Sequence, residues 1–194
     1  MSKSLRGFLV AVPGLLLAGF GVVHPAQLDA ATAPWWTTLH IILLPVFPLL
    51  ALAQWYLLAS APPWLRWPGW VAAFGYAAFY GGLDAVAGIA GGTVVHAQHG
   101  ATPVVGAVFT AGDLLGHVGA ACFLVASVLI AVAAVLRAGW WALPGGVVLL
   151  LASVSFLDSH IFWPRGVVTM LGVAAGLSWV YLAGERTAEG RRTA

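Results

Sequence analysis

Apolar residues dominate the chain in six stretches, at about 8–23, 36–58, 70–90, 108–136, 140–157 and 167–183, separated by short polar or Pro- and Gly-containing breaks. Each approaches or reaches the roughly 20 residues that a helix needs to cross a hydrocarbon layer about 30 Å thick. In hydrocarbon every backbone polar group must find a partner within its own segment, so such runs predict helices. The pattern predicts an all-α polytopic membrane helical bundle of about six transmembrane helices, with residues 1–194 forming a single transmembrane domain. Small residues recur along the runs, as at Gly112, Gly116 and Gly119, and predict close helix–helix approach. Pro13, Pro45 and Pro48 remove backbone donors inside the first two runs and predict kinks there.

Charge orients this bundle. Lys3 and Arg6 precede the first run, Arg66 lies between the second and third, Arg137 between the fourth and fifth, and Arg186, Arg191 and Arg192 follow the sixth. Under the positive-inside rule both termini are cytoplasmic, and of the eight cationic residues only Arg165 falls outside. The ten tryptophans gather near the ends of the runs, as an interfacial aromatic belt does. Lys3 and Arg6 followed by an apolar run and Ala31-Thr32-Ala33 also fit a cleavable secretory signal. Pro34 at the first mature position, together with the length and glycines of the run, favours a retained span.

Composition narrows the class further. The chain is 61% apolar and 7% charged, against about a quarter charged in soluble domains. A net charge of +2 without a clustered basic face argues against a nucleic-acid partner. Cys122, the single cysteine, lies in an apolar run and reads as a small buried hydrophobe. Heavy Ala, Gly, Val, Leu and Arg usage with almost no Lys suggests a bacterium with a high-GC genome, and hence its plasma (inner) membrane. Membrane lipids are then the immediate partners, and oligomeric state is not legible.

On this topology all six histidines and all four aspartates fall at the extracytoplasmic face, at positions far apart in sequence. An ionisable group inside a bilayer costs at least about 2.5–3.5 kcal/mol, so Asp84, Asp113 and His117 are expected to face the bundle interior with partners. His40 lies about one turn inside the second run. Asp113 and His117 are four apart and share a helix face. Asp158 and His160 sit at the tight turn between the last two runs. His24 beside Pro25, with Asp29, reads instead as a solvated loop pair. His96 and His99, in a Gly-rich loop, read equally well as unstructured polar residues or as a pair sharing a metal on a helix.

Imidazole and carboxylate without thiol suit zinc, iron, manganese or copper(II). The expected ligand set is His40, Asp113, His117 and His160, with Asp84 and Asp158 as catalytic groups: further ligands, orienters of an imidazole, or general bases. The leading expectation is a metal-binding membrane protein, in its strongest form a metal-dependent enzyme acting on a lipid or amphiphilic small molecule at the outer surface. Haem held by two histidines, His40 and His117, is the first alternative. An ion- or proton-coupled transporter is the second, weakened by the thin set of polar residues below the outer third. The chain lacks the Gly-x-Ser-x-Gly elbow of serine hydrolases. It also lacks the histidine boxes of membrane di-iron desaturases and the last-span His-x-x-x-His of alkaline-ceramidase-like metallohydrolases, so the sequence assigns it to no family.

Overall fold

The structure is a computed structural model that describes residues 2–193, with side chains placed as far as residue 187. Arg191 and Arg192, two of the charges behind the expected orientation, therefore lie outside the described side chains. The described residues are helical without strands: α1 (Lys3–Val22), α2 (Ala33–Val46), α3 (Pro48–Leu58), α4 (Pro63–Leu83), a π-helical turn (Asp84–Ala90), α5 (Gly91–Gln98), α6 (Pro103–Ala138), a 3-10 turn (Gly139–Ala142), α7 (Leu143–Ser159) and α8 (Arg165–Thr193).

Proline does much of the punctuation. It occupies the first or second position of α2, α3, α4, α6 and α7, where its missing N–H costs nothing and its fixed φ suits a helix start. The second apolar run breaks at Phe47, directly before Pro48. At the N-terminus the Ser2 hydroxyl caps α1 by accepting from the Leu5 amide at 3.3 Å.

Five helical segments are long and apolar enough to cross a membrane: Lys3–Val22, Ala33–Leu58, Pro63–Gln98, Pro103–Ser159 and Arg165–Thr187. The fourth of these is not a single rod. Gly139 takes φ +62°, the 3-10 turn follows, and α6 and α7 then lie against one another. The third runs further than the sequence suggests, because helix continues through the Gly-rich stretch to Gln98. There Gly91 and Gly92 leave room for Phe109 and for Thr37 and Trp36.

α1 packs on α8, α4 on α6, and α7 on both α6 and α8. Gly112, Gly116 and Gly119 form the seam of α6 against α4 and the π turn; a Cβ at these positions would meet Ala87, Leu83 and Tyr80. The centre is filled by Leu17, Leu43, Phe47, Tyr76, Phe123 and Phe156. Large apolar side chains also cover the outside, with Val71, Leu114, Leu151 and Val168 all at least 65% exposed, as a surface solvated by lipid requires. At one end of the bundle Arg137 donates to the Ser60 hydroxyl at 2.7 Å, close to Gly184 of α8. The α1–α2 loop, the end of α5 and the α7–α8 loop share the opposite end.

Candidate metal centre

Three histidines from three separate segments meet at that opposite end. His24 follows α1, His40 sits in α2 and His160 follows α7, and one ring nitrogen of each lies within 4.8 Å of the other two. Their ring centroids are 5.1 Å (His24–His40), 5.7 Å (His24–His160) and 6.3 Å (His40–His160) apart. His24 is 7% exposed and His40 2%.

The chain spends specific residues on this convergence. In the α1–α2 loop the Asp29 carboxylate accepts from the Thr32 amide at 2.8 Å, the Thr32 hydroxyl at 3.1 Å and the Ala31 amide at 2.9 Å, which holds its pKa below the usual carboxylate value. The Trp35 indole N–H ties the loop back by donating to the Val23 carbonyl at 3.0 Å. Gly88 of the π turn faces His40, whose ring occupies the space a Cβ would need. Gly21 of α1 likewise lets the α7–α8 loop come against the end of α1, and Gly166 leaves room for that loop's own backbone at His160 and Ile161. His160 itself has φ +45° and ψ −139°, a conformation that costs a non-glycine residue about 1–3 kcal/mol and recurs at functional sites.

Hydrogen bonds fix which nitrogen the His24 and His40 rings can offer. His40 Nδ1–H donates to the Trp36 carbonyl at 2.7 Å and His24 Nδ1–H to the Pro25 carbonyl at 2.9 Å; a carbonyl only accepts, so both neutral rings present Nε2 as a lone pair. His24 Nε2 is buried without a hydrogen-bond partner. His160 Nδ1 lies 2.6 Å from the Tyr80 hydroxyl, and with Nδ1–H as donor its Nε2 is free as well. Backbone or side-chain oxygen on the far nitrogen is the support that metal-ligating histidines generally have. Around a tetrahedral ion with metal–N distances of about 2.0–2.1 Å the nitrogens lie about 3.4 Å apart, so small side-chain rotations would close this cluster on a metal.

Burial also keeps the His24 and His160 rings neutral. Desolvation lowers the His24 pKa to about 4, against the bond to Pro25, and His40 lowers it further. His160 is held well below the ordinary histidine value by desolvation, then by His24 and His40. The unfolded chain therefore takes up protons first as pH falls. The His24 contribution, roughly 3 kcal/mol, is full above about pH 6.5 and is lost progressively down to about pH 4, and His160 adds to the loss in the same direction. Thermal melts of metal-free protein between pH 7 and pH 4 are expected to show this fall, and His24→Ala to flatten it.

The expected site residues fall into two groups. His40 and His160 join the cluster, together with His24, which the sequence suggested to be solvated. Asp113 and His117 stand exposed on α6, with His117 Nδ1 donating to the Asp113 carbonyl at 2.7 Å, outside the group of three. Asp158 is exposed and pairs with Arg165 at 2.5 Å. These three and His160 line one cleft of about 160 Å³, with Tyr80, Leu83 and Phe162 among its other walls. Asp84 is fully buried at the start of the π turn, both carboxylate oxygens unpartnered. It lies one helical turn beyond Tyr80 on the same face. His96 and His99 are exposed in the last turn and at the left-handed cap of α5.

Tyr80 is the contact that sequence reasoning missed, because nothing marks an apolar-run tyrosine as an imidazole partner. Tyr80→Phe is expected to weaken metal binding by about 10–100-fold with little change in fold, measured by competition with a chromogenic chelator. No protein-family model, no curated protein and no solved structure matches this chain.

Proposed function

We propose that the protein is a six-pass membrane protein that binds one transition metal ion through His24, His40 and His160, and that it is a metal-dependent enzyme acting on a lipid or amphiphilic substrate. The observation that carries this reading is the convergence of three rings, two of them buried with Nδ1 committed to backbone carbonyls and the third, His160, partly buried. α6 and α7 count as separate crossings, which puts both termini on one side. The positive-inside rule makes that side the cytoplasm and sets the histidine end at the extracytoplasmic face of a bacterial plasma membrane.

Three imidazoles leave a fourth coordination position open, the arrangement in which zinc lowers the pKa of bound water to about 7. The cleft that His160 shares with Asp113, His117 and Asp158 is the opening next to the cluster, and a metal held there would supply Lewis-acid chemistry beside it. Asp84 acts through Tyr80, which lies one helical turn away on the same face and whose hydroxyl contacts His160 Nδ1. This makes Asp84 a positioning residue for His160, and Asp158 a polar group at the cleft rim. Asp84→Asn is expected to raise the melting temperature of the metal-free protein, since a buried unpaired carboxylate is costly, and to lower metal affinity. The tight ring packing of the cluster against Trp36, Phe162 and Tyr80 favours an ion over the slab of a haem.

Elemental analysis with an absorbance spectrum of detergent-purified protein tests the proposal. About one zinc, iron, manganese or copper per chain, lost in His40→Ala, supports it. A Soret band would favour haem, and protein with no stoichiometric metal after incubation with zinc would refute it.

A further inference from the structure

We propose that the groove between α7 and α8 is a binding site for a phospholipid, with the acyl chain lying along the groove and the phosphate held by Arg165. The proposal deepens the function above by naming the substrate class, and lipid binding itself does not require the metal. The groove has a volume of about 480 Å³, within the range of small-molecule sites, and its walls include Val148, Leu151, Val168 and Gly172. Leu151 and Val168 are 67% and 65% exposed on a face turned to lipid, so an acyl chain is the occupant that the surroundings supply.

The groove ends in donors. Arg165 Nε donates to the Ser155 hydroxyl at 3.4 Å, and the Ser155 and Thr169 hydroxyls are 2.7 Å apart. The guanidinium also holds Asp158 through two contacts, Nη2–Oδ1 at 2.5 Å and Nη1–Oδ2 at 3.3 Å. Both partners of this pair are more than half exposed, at 58% and 61%, and an exposed pair contributes only about 0–1 kcal/mol. A phosphate can therefore take the planar fork of Arg165 in place of the Asp158 carboxylate, with a geometry that suits it.

Continuity with the metal centre singles out this groove. Grooves elsewhere carry Arg6 or Arg186 beside apolar walls, but Asp158 belongs both to the Arg165 pair and to the cleft that reaches His160. A phosphate on Arg165 would set the ester linkages of the lipid beside that cleft.

Native mass spectrometry of the full chain tests this, with metal-free and zinc-loaded protein offered dioleoylphosphatidylethanolamine or dioleoylglycerol in equal amounts. Wild type is expected to retain the phospholipid about tenfold better than the diacylglycerol, whether or not zinc is bound. Arg165→Gln should erase that preference, Val168→Trp should reduce retention of both lipids, and Arg186→Gln should change neither. Equal retention of both lipids by wild type, or an undiminished preference in Arg165→Gln, would overturn the proposal. Because the metal-free arm reads lipid alone, a protein that takes up no zinc would defeat the metal reading without deciding this one.

Discussion

If the three histidines hold a metal as proposed, His24→Ala is expected to abolish its uptake while the helices stay folded. Losing an outer partner of a metal ligand already costs about 10–100-fold in affinity, and losing one of three ligands should cost more. The variant should therefore retain well under a tenth of the wild-type zinc after passage over a chelating column. Its fold should survive, because His24 lies in the loop between α1 and α2 and donates only to its neighbour Pro25. His40→Ala should behave in the same way. His117→Ala and Asp113→Asn should keep full stoichiometry, because those side chains stand on the cleft rim. Zinc lost in His117→Ala and kept in His24→Ala would restore the ligand set that the sequence alone suggests.

Gly88→Ala should disable the same centre without touching a ligand. Its new Cβ would fall on the His40 ring and Cβ, and something must shift. Overpacking of this kind costs about 1–3 kcal/mol, and the shift moves the imbedded ring away from His24 and His160. Lower melting temperature and zinc affinity reduced at least about tenfold are the expected results, read by calorimetry and chelator competition. Gly81→Ala, on the same helical segment, provides the contrast. No atom lies within 4 Å of a Cβ there, so the substitution should be neutral or stabilise by up to about 1 kcal/mol through helix propensity.

The helices were legible because lipid imposes long apolar runs, and the break at Phe47 because Pro48 cannot donate. The continuation through α5 was not, since Gly91-Gly92 looks like a turn; packing against Trp36 and Phe109 overrides that propensity. His40, His160 and Asp84 stood out by depth in the apolar pattern. His24 did not, because a histidine next to proline beyond a helix end has no periodicity to show where it points. Only the anchoring of its loop by Asp29, Thr32 and Trp35 turns it inward. The pair Asp113 and His117 was rightly placed on one face of α6, but the rotation of a helix apolar all round leaves little trace in its sequence. Gly112 and Gly116 make the packed seam, and residues one position on lie about 100° further around the helix.

X-ray absorption at the metal edge of zinc-loaded protein tests the central claim most directly. The account predicts about one zinc per chain with three imidazole nitrogens at about 2.0–2.1 Å and one further light atom. His24→Ala should lose both the zinc and its imidazole scattering. A zinc shell of carboxylate oxygens alone, or the full three-imidazole signal persisting in His24→Ala, would contradict it.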